Sequence, residues 1–142
     1  MAGFSRTRRL TVEWGHCDPA GIVFNPRFFE YFDYSTALLL EAALGIGKQA
    51  MLERYDLAGI PLVDTRAKFL TPSRFGDEIE IRSTITLLKR SSFSVSHHLT
   101  NAGVLSVEGE EVRVWAGRHP DDAGRLAAKI IPDAVRAKLI PG

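Results

Sequence analysis

The 142-residue chain carries 18 Lys and Arg against 17 Asp and Glu, a formal charge of +1, and one cysteine, Cys17. So even a balance gives no reason to expect a nucleic acid or an anionic membrane as partner, and a lone cysteine excludes an internal disulfide. The length suits one domain, 1-142; no apolar run approaches membrane-spanning length and the first residues lack a signal-peptide core, so a soluble, cytoplasmic protein is expected.

The alternation of Leu10, Val12 and Trp14 with Thr11 and Glu13 predicts a first strand over 9–14. Asp18-Pro19 and Ala20-Gly21 then mark a loop. Asn25 is placed to cap a helix through its side chain, and Pro26 fits the first helical position, where a missing N–H costs nothing. From Arg27 to Leu44 the apolar positions spread far beyond one stripe. Such a helix is buried on most sides, and Gly45 supplies its stop. Residues 49–55 read as a short amphipathic helix.

Strands follow over 61–70 and, after Phe75-Gly76-Asp77, over 79–87, where Ile79, Ile81, Ser83, Ile85 and Leu87 share a face. Lys89-Arg90-Ser91 forms a polar turn. Phe93, Val95, His97 and Leu99 then alternate with Ser94, Ser96 and His98, and Asn101-Ala102-Gly103 reads as a hairpin turn. A last strand spans 104–116 with Gly109 a candidate bulge, residues 119–124 are loop, and 132–139 closes as a short helix. Segregated helix and antiparallel strands predict an α+β fold of about five strands, and a helix apolar nearly all round needs the sheet wrapped about it. Uncovered sheet edges predict a dimer.

The stretch from loop to helix holds the chemistry. Asp18 lies seven residues ahead of Asn25 and the free N–H groups of a helix start. A nucleophile or base beside a backbone oxyanion site is what acyl transfer needs. Asp18 also reads as a turn former, and Asn25 as a plain cap. His16 and Cys17, adjacent in an extended segment, point to opposite sides and make no dyad. Cys17 reads as a packed side chain, while His16 bonds within the loop or approaches a ligand. Trp14, Phe24, Phe28, Tyr31 and Phe32 offer an aromatic pocket, although Phe28 and Phe32 read as core. Tyr31 and Asp33 are polar groups beside this segment, able to meet a substrate hydroxyl. His16, His97, His98 and His119 have no metal-ligand spacing, so no metal is expected.

Asp18-Pro19-Ala20-Gly21-Ile22-Val23-Phe24, followed by Asn25-Pro26 and an aromatic-rich helix, resembles the signature of the 4-hydroxybenzoyl-CoA thioesterase family of the hotdog superfamily. Weaker likenesses at Gly59-Ile60-Pro61, Pro72-Ser73-Arg74-Phe75-Gly76-Asp77 and Lys89-Arg90-Ser91-Ser92-Phe93 carry it along most of the chain in the family's order. The resemblance implies a hotdog fold, a homodimer or homotetramer, and hydrolysis of an aromatic acyl-CoA such as 4-hydroxybenzoyl-CoA to free acid and CoA. Coenzyme A belongs to the substrate, and no cofactor is implied. In that reading Asp18 is nucleophile or general base, the Asn25 amide polarises the thioester carbonyl, and Asp33 is the acidic helix residue near the substrate's ring. Lys89 and Arg90 match a basic turn suited to CoA phosphates, but Ser91 stands at its third basic position, leaving Arg118, Arg125 or another subunit to share the task. Three rivals stand beside it: a thioesterase for short or branched aliphatic acyl-CoA or acyl-ACP, a hydratase on the same fold, and a non-catalytic acyl-CoA binding protein.

Overall fold

The computed structural model describes residues 3–141. Its strands are β1 (Ser5–Thr11), β2 (Leu62–Phe69), β3 (Glu78–Leu88), β4 (Ser92–Asn101), β5 (Val104–Val114), β6 (Ala116–His119) and β7 (Asp122–Ala128). The helices are α1 (Pro26–Leu44), α2 (Lys48–Arg54) and α3 (Asp133–Leu139). Five strands form one antiparallel sheet in the order β1-β3-β4-β5-β2, while β6 and β7 pair as a separate ribbon. The long helix lies in the curve of the sheet, the hotdog arrangement that the resemblance implies.

Two apolar clusters hold α1 down. Phe28, Tyr31 and Phe32, from its first half, pack with Val12, Val23, Ile79, Ile81, Leu99 and Val107. Leu39, Leu40 and Leu44, from its second half, pack with Ile85, Phe93, Trp115, Ile131 and Val135. The helix ends where Gly45 adopts φ 73°, a left-handed stop that any side chain would strain. In the β4–β5 turn Ala102 and Gly103 both have positive φ, 51° and 79°, as a two-residue hairpin turn requires.

Several sequence expectations shift. The first strand occupies Ser5–Thr11 rather than 9–14, and Trp14 sits in a short 3-10 turn over Trp14–His16. Trp14 is therefore 75% exposed, its ring edge-on to Phe75 at 5.3 Å, instead of sharing the inner face with Leu10 and Val12. The arginines of this segment hid the strand. Arg8 lays its stem across α1, donating from Nε to Ser35 Oγ (2.8 Å) and from Nη2 to the Tyr31 carbonyl (3.0 Å). A long cationic side chain thus covers apolar surface while reading as solvent-facing in sequence.

Gly109 is not a bulge. It pairs in register with His97 on one side and Ala67 on the other, and a Cβ there would meet Phe32 Cε2 at 2.5 Å. The glycine makes room for the Phe32 ring. Bulges fall instead at Leu62/Asp64, Ile85/Leu87 and Leu99/Thr100, and the second of these turns Leu87 out to 48% exposure, away from the buried series Ile79, Ile81, Ser83 and Ile85. The expected last strand breaks at Trp115, and the expected loop 119–124 is the tip of the β6–β7 hairpin.

Candidate active site

Residues 13–25 fold into a small, self-bonded unit at the entry to α1. Glu13 caps the 3-10 turn, and Cys17 pairs with Val23 as an isolated antiparallel rung. Asp18 N–H donates to Ile22 O (2.9 Å), Gly21 N–H to Asp18 O (2.9 Å) and Phe24 N–H to His16 O (2.9 Å). At the tip, the Asp18 carboxylate accepts from Ala20 N–H through Oδ1 at 2.9 Å, the turn geometry that Asp-Pro favours. This bond fixes the carboxylate while leaving Oδ2 without a hydrogen-bond partner among the described residues. The unit leans on the 71–77 loop, with Val23 N–H donating to Ser73 O (2.9 Å). Asp77 stiffens that loop by accepting from Arg74 N–H and Asn101 Nδ2, both at 2.8 Å, which holds its carboxyl below the usual carboxylate range.

Asn25 departs from the expected cap. Its backbone is already helical (φ −46°, ψ −42°), and its side chain makes no capping bond. An N-cap side chain reaches the N2 or N3 amide from an extended backbone, which Asn25 does not have. With Phe24 N–H bonded to His16 O and Pro26 lacking an N–H, the Asn25 amide is the first free donor of the helix; no acceptor engages it among the described residues. It stands at the positive end of the 19-residue helix α1.

The other expected site residues divide by location. Phe24 is 52% exposed at the head of α1, its backbone tied to His16 in the same unit. His16 turns inward: its Nδ1 receives Glu13 N–H at 3.1 Å and lies 2.8 Å from Tyr31 Oη. Tyr31, expected to face a substrate hydroxyl, is 6% exposed, and its own hydroxyl is engaged by His16. Burial first, then Cys17 and Glu13, push the Tyr31 phenol up to about 12.

Asp33 lies eight residues along α1 from Asn25, about 12 Å at helical rise. It is exposed, and its Oδ1 accepts from Arg113 Nη2 at 2.7 Å. With Arg113, Thr36, Leu40, Met51 and Ile60 it lines a pocket of about 230 Å³ between α1 and α2. Lys89 and Arg90 form the exposed β3–β4 turn at the far end of β3, whose 11 residues place them about 34 Å from the Asp18 end of the same strand. Within one chain, then, Asp18, Asn25, His16, Phe24 and Tyr31 come together, and Lys89 and Arg90 do not join them. Arg118 and Arg125 lie on the β6–β7 ribbon, while Arg136 donates to Lys89 O at 2.7 Å.

The sequence reading missed a buried polar chain at the midpoint of α1. Ser83 Oγ is 2.7 Å from His97 Nδ1, and Thr36 Oγ1 is 3.2 Å from His97 Nε2. Thr36 donates to Glu111 Oε1 at 2.6 Å, and Arg113 Nε donates to the same oxygen at 2.9 Å. Arg113 Nη1 also donates to Ile60 O at 3.0 Å. The His97 ring stacks on Phe32 at 4.7 Å and 6°. Burial alone would raise the Glu111 carboxyl, but bonds from His97, Arg113 and Thr36 outweigh it and hold it at about 2. Burial would likewise lower Arg113, and Glu111 and Asp33 together raise it instead. The signal was present in the alternation of β5: the face that carries Val107 and Gly109 inward also carries Glu111 and Arg113. Among the described residues no cluster of His, Cys, Asp or Glu has the makings of a metal site.

The architecture is that of hotdog-fold proteins, and comparison with known proteins narrows it. The Thioesterase-like superfamily matches residues 12–139. The 4-hydroxybenzoyl-CoA thioesterase of Pseudomonas sp. (strain CBS-3) is 31% identical over 134 residues, 90% of this chain and 92% of the relative. A solved structure of that thioesterase superposes with a TM-score of 0.85 at 25% identity, covering 94% of this chain and 98% of that one. A gentisyl-coenzyme A thioesterase structure matches with a TM-score of 0.79 at 33% identity, covering 92% of this chain and 99% of the other. The chain belongs to the thioesterase-like superfamily, and its enzyme class is thioester hydrolase.

Proposed function

We propose that the protein hydrolyses the thioester of an aromatic acyl-CoA, such as 4-hydroxybenzoyl-CoA, to the free acid and CoA. One observation carries the reading: a carboxylate with a free oxygen, Asp18, sits on the same bonded unit as the unpaired Asn25 amide at the head of α1. The aromatic acyl group follows from two relatives, whose names give 4-hydroxybenzoyl-CoA and gentisyl-CoA as substrates.

In this mechanism the thioester oxygen accepts from the Asn25 N–H as negative charge develops on it, aided by the helix dipole. Asp18 Oδ2 then acts in one of two balanced ways. It attacks the carbonyl carbon, the C–S bond breaks, CoA leaves as a thiolate that takes a proton from solvent, and water hydrolyses the resulting anhydride. Alternatively it takes a proton from water, whose oxygen attacks while the thiolate departs. No resident cofactor enters either route.

The basic turn belongs to the same proposal through a second copy of the chain. Lys89 and Arg90 lie too far from Asp18 to serve one substrate within a protomer, whereas β2 is an open edge with Leu62, Val63 and Phe69 exposed and Leu70 exposed just beyond it. Pairing β2 with its equivalent covers that edge, giving a homodimer able to assemble further into a homotetramer. A cytoplasmic setting suits Cys17, a lone thiol that a reducing compartment keeps free.

The test is free thiol release from 4-hydroxybenzoyl-, benzoyl- and short aliphatic acyl-CoA. Faster turnover of the aromatic esters supports the proposal. A preference for aliphatic esters replaces the acyl group and keeps the chemistry, and binding without thiol release from any ester contradicts the hydrolase reading.

A further inference from the structure

We infer that Tyr31 and His16 form a brace that holds Asp18 in place against the Asn25 amide, making both of them positioning residues for the hydrolysis; the inference rests on the catalytic reading of Asp18 and Asn25 given above. The geometry closes a ring. Tyr31 lies six residues into α1, and its Oη meets His16 Nδ1 at 2.8 Å. The same residue, His16, accepts through its carbonyl from Phe24 N–H at 2.9 Å, which leaves the next amide, Asn25, as the free donor. Cys17 and Asp18 follow directly and climb the rungs to Val23 and Ile22. One imidazole thus ties the loop bearing the carboxylate to the helix bearing the amide.

The Glu13 amide sets the direction of the Tyr31–His16 bond. Glu13 N–H already donates to Nδ1, so Nδ1 is an acceptor and Tyr31 Oη must donate to it. The imidazole's other nitrogen faces Glu13 Oε2 at 3.5 Å. The two rings meet edge to face at 5.1 Å, and Phe28 packs on Tyr31 the same way at 5.8 Å. A phenol pushed up to about 12 keeps its proton throughout the range in which the protein would work, so the donor is constant. The hydroxyl proton of Tyr31 and the Nδ1 lone pair of His16 are spent on each other, so the effect inferred for them on catalysis runs through placement. Misplacement of about 1 Å in a reacting geometry can cost about a hundredfold in rate.

The experiment compares wild type, Tyr31→Phe, His16→Leu, His16→Asn and the Tyr31→Phe/His16→Leu double variant, with kcat, KM and thermal midpoint measured for each on the best acyl-CoA found for wild type. Tyr31→Phe and His16→Leu should each lower kcat by about tenfold to a hundredfold with KM within about threefold, because placement and not ligand contact is lost. The double variant should fall little below the worse single, as two halves of one contact do. His16→Asn, whose Oδ1 can stand in for Nδ1, should recover most of what His16→Leu loses. Wild-type kcat in Tyr31→Phe, multiplicative losses in the double variant, or losses that simply follow the melting temperature would each overturn the brace while leaving the thioesterase reading intact. A wild type inactive on every thioester, or an Asp18→Asn variant with undiminished turnover, marks instead the failure of the underlying reading, and the brace falls with it.

Discussion

Glu111 shows how much a single residue organises. Its carboxylate is 2% exposed, yet it receives Thr36 and Arg113 and approaches His97 Nε2 within 3.6 Å. Glu111→Gln would keep an amide oxygen for Thr36 or Arg113 but remove the buried charge, leaving the 7% exposed Arg113 guanidinium with Asp33 as its one carboxylate partner among the described residues; weakening these charge-assisted bonds costs about 1–3 kcal/mol, readable in urea unfolding. The pH dependence has a definite sign. With its folded pKa depressed to about 2 from the ordinary 4.5, the group binds more protons unfolded than folded between those values. Its stabilisation is therefore complete above about 4.5 and fades as pH falls towards 2. Acid unfolding that begins below pH 4.5 in the wild type and flattens in Glu111→Gln is the expected record. An unchanged acid limb would remove Glu111 from that role.

At the scale of elements, two backbone positions give opposite predictions. Gly109→Ala places a methyl group 2.5 Å from the Phe32 ring, itself stacked on His97, so overpacking should destabilise by about 1–3 kcal/mol in the same unfolding assay. Ala102 holds φ 51° in a tight turn, so Ala102→Gly should stabilise by a few tenths to about 1 kcal/mol. The sequence revealed the helix, its stop at Gly45 and the inward series of β3 and β4, because hydrophobic period and breaker residues report local geometry directly. It did not reveal the first half of β1, whose inward positions include Arg6 and Arg8, nor the buried chain around Glu111, because burial of a charge depends on a partner from another element. Asn25 marks the same boundary. Its place at the helix entry was legible from Asn-Pro, but whether its side chain or its amide faces outward depended on how His16 engages Phe24.

The whole molecule leaves β2 as an edge strand in which Ala67 alone is even partly buried. If that edge pairs with a second copy, sedimentation should give at least a dimer, and Leu62→Lys/Val63→Lys should shift it to monomer, since paired like charges beside an edge oppose association. The monomer should also lose affinity for CoA esters, because the partner's basic turn would be gone. A wild-type monomer with full activity would contradict this arrangement. The central claim is nevertheless a chemical one, that Asp18 hydrolyses the thioester beside the Asn25 amide. It is tested most directly by single-turnover thiol release, with acyl-CoA affinity measured in parallel, for wild type and Asp18→Asn. The account predicts that Asp18→Asn folds and binds the ester as wild type does while its rate falls at least about a hundredfold, the scale of a lost general base or nucleophile; undiminished thiol release by the variant would contradict it.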